Sequence, residues 1–169
     1  MKTIATRQIA RVVSVLLAAA LFSPIASADD ADDIQSVIDT YLATETTDLK
    51  KQAGLMTDDR TFIAGGARQT DNVANMKGQM AGAARNKELD PNATVVVTGE
   101  DVMIRVIGSN AAVASFYRYW NVISSADSVR EGRNASGPPN DAVTLVLAKM
   151  GGDWKIVHTH QSPIVGLGQ

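Results

Sequence analysis

The amino-acid sequence predicts an α+β domain, a strongly curved, mainly antiparallel sheet rolled into a cone, with about three N-terminal helices on its concave face. Three observations lead there. Helical spacing of apolar residues prevails before the break Leu89-Asp90-Pro91-Asn92, and β-branched runs prevail after it. The stretch Asp141–Pro163 holds two apolar runs, Val143–Met150 and Trp154–His160, joined by Gly151-Gly152-Asp153. Glycine supplies the positive φ of a tight reversal, so this stretch reads as a β-hairpin.

The first residues stand apart from that domain. Lys2, Arg7 and Arg11 precede an apolar run, Val12–Phe22, and Ala26-Ser27-Ala28 then offers the small residues of a signal-peptidase site. The run is short for a membrane span of roughly 20 residues. The expected organisation is therefore a signal peptide over residues 1–28 and one exported domain, periplasmic or secreted, over residues 29–169, with a retained anchor as the alternative. Without residues 1–28, 13 of the 16 basic residues face all 18 acids, a net charge of −5. An acidic exported chain is a poor partner for nucleic acid, and after cleavage no membrane partner is expected. The absence of cysteine excludes disulfides and thiolate metal sites.

Along the chain, Ile34, Val37, Ile38, Tyr41 and Leu42 form one helical face, behind a run of acids (Asp29, Asp30, Asp32, Asp33) suited to a helix N-terminus. A short second helix is expected over Leu49–Met56, entered through Thr46-Thr47-Asp48, and a short strand over Thr61–Ile63 ended by Gly65-Gly66. Val73, Met76 and Met80 mark a third helix capped by Asp71, expected to fray over the small, polar Met80–Glu88. Thr94–Val97 and Val102–Ile107 make one bulged strand or two pieces. A long strand over Ala111–Ile123 follows the Gly108-Ser109-Asn110 turn, and Ser124–Asn140 reads as a loop.

Alternation on the long strand places Ala112, Ala114, Phe116, Arg118 and Trp120 on one face. If that is the helix-covered face, Arg118 is a buried cation that needs an anion, either an internal acid such as Asp39 or Glu45 or a ligand. Tyr41 lies on the first helix's apolar stripe, with its hydroxyl free to pack or to point into a cavity. Strict alternation on the last arm groups Trp154, Ile156, His158 and His160 against Lys155, Val157, Thr159 and Gln161. The two histidines are weak candidates for acid/base chemistry. They do not suffice for a metal site, which usually needs three protein ligands, so neither a metal nor a cofactor is expected.

Val106-Ile107-Gly108-Ser109-Asn110-Ala111-Ala112-Val113, together with Gly152–Ser162, resembles the SnoaL-like branch of the nuclear transport factor 2-like superfamily. Both stretches are also similar to the association domain of calcium/calmodulin-dependent protein kinase. The similar order of elements covers roughly Asp32–Pro163. The resemblance implies a cone-shaped barrel, often a homodimer through the outer sheet face, in a group spanning isomerases, dehydratases, cyclases and non-catalytic binding or assembly domains. It places Arg118 at a pocket arginine of the association domain, with Gln161 and Leu145 where that domain has two more. The general-base Asp of the isomerase branch has no counterpart in Thr61–Ala67. The implied function is binding of a small anionic or polar ligand by Tyr41, Arg118, Trp120 and Gln161. The alternatives are an enzyme using a last-strand histidine and a dimeric assembly module.

Overall fold

A computed structural model describes residues 28–133 and 138–165 of the chain. Residues 1–27 of the expected leader lie outside them, and its last residue, Ala28, is the first of the described helix. The elements are α1 (Ala28–Thr44), α2 (Leu49–Ala53), β1 (Met56–Ala64), β2 (Ala67–Gln69), α3 (Asn72–Leu89), β3 (Thr94–Ile107), β4 (Ala111–Ile123), a short α4 (Ala126–Arg130), β5 (Asp141–Met150) and β6 (Asp153–Pro163). The strands form one mixed sheet in the order β2-β1-β6-β5-β4-β3, in which only the β1–β6 pair is parallel. The sheet is open, with β2 and β3 as its edges.

The apolar stripe of α1 explains the packing. Ile34, Ile38 and Tyr41 are buried against Ala112, Ala114 and Phe116 of β4, Val143, Leu145 and Leu147 of β5, and Trp154 and Ile156 of β6. Helix α1 touches β3 as well as β6, so the sheet bends around it. At Gly99 of β3 the helix comes so close that an added Cβ would lie 2.5 Å from a Leu42 methyl. The acidic start of α1 is tied to the far hairpin. Lys149 Nζ donates to Asp30 Oδ1 at 2.5 Å, and Trp154 Nε1 donates to the same oxygen at 3.2 Å.

Several expectations are met locally. Asp48 and Asp71 cap α2 and α3 by accepting from Lys51 N and Ala74 N, and Gly151 and Gly152 turn the last hairpin at φ 62° and 99°. β3 is one strand with an irregularity between Glu100 and Met103, where Asp101 takes φ 53°.

Four expectations change. Helix α2 ends at Ala53, and Met56 opens β1, a nine-residue strand that hairpins into β2 through Gly65-Gly66. Helix α3 does not fray after Met80 but runs on to Leu89. That half has no apolar stripe, yet its alanines, Arg85, Lys87 and Glu88 favour helix intrinsically. The Ser124–Asn140 loop carries α4, capped by Ser125. Strict alternation fails in β6. Val146 pairs with His158 while Leu147 pairs with Ile156, so Val157 is an extra, bulged residue and the two halves of the strand are out of phase.

Candidate functional site

The bulge decides which groups line the helix-covered face. On one side of Val157 these are Trp154 and Ile156, and on the other they are Thr159 and Gln161. Thr159 is fully buried opposite Leu145. His158 lies opposite the half-buried Val146, and His160 is exposed. Both histidines therefore project from the outer face, away from Tyr41 and Arg118. The only hydrogen bond of His160 among the described residues is a 3.5 Å contact with Ser162 Oγ.

Arg118 is 3% exposed and sits at the centre of a polar cluster. Its Nε and Nη2 donate side by side to the two oxygens of Asp141 at 2.9 and 2.6 Å. Its Nη1 donates to Glu45 Oε1 and, at 3.3 Å, to the Tyr41 hydroxyl. The guanidinium also stacks on the Trp120 ring, 4.9 Å from its centroid. Of the acids expected as internal partners, Glu45 is one. Asp39 instead accepts from Gln35 on the helix surface. Asp141 was missed, although a signal existed, because Asp141, Val143, Leu145 and Leu147 share parity and so put one charge on an apolar face.

Tyr41 connects this cluster to the last strand, since Gln161 Nε2 donates to its hydroxyl at 3.3 Å. Burial, reinforced by Glu45, pushes the phenol well above its ordinary value, so it is a neutral hydroxyl at any working pH. Burial alone would weaken the Arg118 cation, but the hydrogen-bonded Asp141 carboxylate and the charge of Glu45 outweigh it and hold the group firmly charged.

A second buried guanidinium, Arg60, was not singled out by sequence reasoning. It is 1% exposed. Its Nη1 donates to Thr159 Oγ1 at 3.2 Å and its Nη2 to Asn75 Oδ1 at 2.9 Å, and its plane lies 4.9 Å from the centre of the Phe62 ring. Burial lowers its affinity for its proton, and the charge of Glu45 opposes this only through space. The four proposed pocket residues thus form one connected seam, Trp120–Arg118–Tyr41–Gln161. Thr159, on the same face as Gln161, leads from it to Arg60.

Among the described residues, Trp120 Nε1 and Arg60 Nε are buried N–H groups without an acceptor. Among the described residues no group of three His, Asp or Glu is placed to hold a metal ion. The arrangement is suited to receiving acceptor atoms rather than to moving a proton. Both carboxylates are committed to Arg118, and the phenol does not ionise.

Solved structures with the same fold are diverse. Aln2 from a Streptomyces species is 15% identical, with TM-score 0.64, over 81% of this chain and 92% of its own. An NTF2-like protein with a cystatin-like fold from Novosphingobium aromaticivorans is 13% identical, with TM-score 0.64, over 96% of this chain and 94% of its own. An NTF2-like protein of unknown function from Pseudomonas putida is 14% identical, with TM-score 0.63, over 83% of this chain and 91% of its own. At these identities the likeness establishes the fold alone. No curated protein matches the chain in sequence. The model of the SnoaL-like domain matches residues 34–166, which takes in every strand of the sheet and the whole polar seam, and the chain belongs to the SnoaL-like domain family.

Proposed function

We propose that this chain is an exported small-molecule-binding domain whose cone takes a polar organic ligand between Tyr41, Arg118, Trp120 and Gln161, without catalysis. The observation that carries this reading is the buried polar seam with an unpartnered indole N–H at Trp120. Burying a salt-bridged cluster is weak evidence for stability, since the desolvation of its charges offsets most of their attraction. An unsatisfied buried donor costs a further ~1–3 kcal/mol. A ligand oxygen accepting from Trp120 Nε1 would remove that cost, and the ligand would then stabilise the folded state. Export rests on the leader-like pattern of residues 1–28. The histidines' outward direction and the commitment of Glu45 and Asp141 to Arg118 support binding over acid/base chemistry.

The test is a thermal-shift screen of small aromatic and aliphatic acids, amides and ketones on the wild type and Trp120→Phe. The Phe variant keeps an aromatic ring beside Arg118 and removes the N–H. A compound that raises the wild-type melting temperature and loses most of that shift in Trp120→Phe supports the reading. Equal shifts in both proteins, or none in either, overturn it.

A homodimer through the outer face of the sheet is the companion proposal. Met103 is 71% exposed there, beside exposed Tyr117 and half-buried Val113 and Val146. Light scattering that finds only monomer at high concentration counts against it.

A further inference from the structure

Two buried arginines in one interior invite comparison edge by edge. A guanidinium has five N–H donors, and its Nε–Nη2 edge matches the two oxygens of a carboxylate. In Arg118 that edge is filled by Asp141, with one oxygen on each nitrogen. In Arg60 the same edge carries one neutral amide oxygen, Asn75 Oδ1 on Nη2, and nothing on Nε. No carboxylate lies within ion-pair distance of Arg60 among the described residues, although its side chain is as deeply buried as that of Arg118. A buried cation is ordinarily paired, because the cost of removing it from water is recovered only by a close counter-charge.

We infer that Arg60 is a carboxylate-binding residue, its Nε–Nη2 edge taking the acid group of a small organic acid. The inference deepens the ligand-binding reading above and rests on it. The position of Asn75 says how the acid arrives. Asn75 lines an open groove of about 650 Å³ between β2 and α3, together with Gln69, Asp71, Gly78 and Gln79. The Asn75 oxygen that caps Arg60 also accepts from Gln79 Nε2 at 2.7 Å, and Asn75 Nδ2 donates to Gln69 Oε1. Three uncharged amides therefore close over the half-filled edge from the groove side. Amide side chains turn about single bonds, so an entering carboxylate can displace Asn75 Oδ1 and take Nη2 and Nε together, as Asp141 does on Arg118. The groove's one carboxylate, Asp71, accepts the Ala74 N–H at the start of α3. On the far side Arg60 meets Thr159 and the Phe62 ring, which can hold the guanidinium plane while the edge changes partner.

The experiment titrates the protein with acetate, benzoate and phenylacetate and with the three matching primary amides. The Arg60 Nε–H and Trp120 Nε1–H resonances are followed by proton–nitrogen NMR, with the Arg60 signal assigned by its loss in Arg60→Lys. The expected result is that at least one acid shifts the Arg60 Nε–H signal and binds about tenfold more tightly than its amide at neutral pH, as a charge-assisted pair should. That preference should vanish in Arg60→Gln and survive in part in Arg60→Lys. The wild-type resonance keeps the test open even if Arg60→Gln fails to fold. Acids and amides that bind equally and move the Trp120 signal alone overturn the role of Arg60 and leave ligand binding in the cone standing. Silence of both signals to all six probes overturns both.

Discussion

Replacing Arg118 with methionine tests the charge cluster at its centre. The change removes the bidentate pair with Asp141, the pair with Glu45, the bond to Tyr41 and the stack on Trp120, while keeping much of the side chain's apolar volume. What remains is two buried carboxylates facing one another's field with no cation, and breaking a buried pair in this way costs ~3–5 kcal/mol. For a domain of this size each kcal/mol lowers the melting temperature by ~2–4 °C, so the midpoint should fall by ~6–20 °C. The decisive comparison is with the triple variant Arg118→Met, Glu45→Gln, Asp141→Asn. If the penalty comes from uncompensated charge, neutralising both acids should restore more than half of it, because exchanging a whole buried ionic cluster for neutral groups is often close to energetically neutral. Urea unfolding followed by tryptophan fluorescence reads this directly, with the midpoint shifting at unchanged slope. A single variant that loses less than about 1 kcal/mol, or a triple variant less stable than the single one, would refute the account of Arg118 as the cluster's required counter-charge.

The other predictions concern the frame around the site. Asp30 is held below its ordinary value of 3.8 chiefly by the hydrogen bond from Lys149, which outweighs the opposing effect of burial, with a weaker contribution from the hydrogen bond of Trp154. A carboxyl depressed on folding contributes stability above its unfolded value that is lost as pH falls through the folded one. Asp30→Asn should therefore be less stable than wild type above about pH 5, with the gap narrowing as pH falls below the ordinary carboxyl range in acid titrations of unfolding. Gly99→Ala should destabilise by ~1–3 kcal/mol in urea melts, because its Cβ meets Leu42 at 2.5 Å, and Leu42→Ala in the same chain should recover part of that loss. Tyr41→Phe should cost ~1–2 kcal/mol by leaving Gln161 and one Arg118 N–H without their acceptor, and calorimetry should find the fold otherwise intact.

What could be read from the residues follows from how locally each feature is encoded. The last hairpin was legible because its turn needs positive φ twice and the chain supplies glycine twice. Alternation runs unbroken through the buried faces of β4 and β5, which grouped Arg118 with the apolar Ala112, Ala114 and Phe116 without saying which face the helices cover and, had it been followed to the first residue of β5, would have put Asp141 on the face of Val143 and Leu145. The far half of α3 was not, because intrinsic propensity holds it helical without the apolar stripe that periodicity detects. Arg60 was hidden for a different reason. Arg60 shares strand parity with the buried Met56, but the exposed Asp58 lies between them and the strand was expected to begin only at Thr61, which left Arg60 outside any periodic run. The direction of the histidines depended on one extra residue with no signature in composition.

That extra residue has a wider consequence. Because Val157 sets the two halves of β6 out of phase, the strand holds two alternative sets of side chains for the same helix-covered face, one of amide and hydroxyl and one of imidazole. Deleting Val157 would merely straighten the strand and leave each lining where it is. Ironing out the bulge at full length would instead slide the far half by one residue, and a one-residue slip exchanges the faces of a strand. His158 and His160 would then turn toward Tyr41, Thr159 and Gln161 would go to the outer surface, and Trp154 would stay in place. A chain of this fold is thus a single register step away from a titratable interior, a route by which a receptor could become a catalyst, or the reverse, with every side chain already written in its gene.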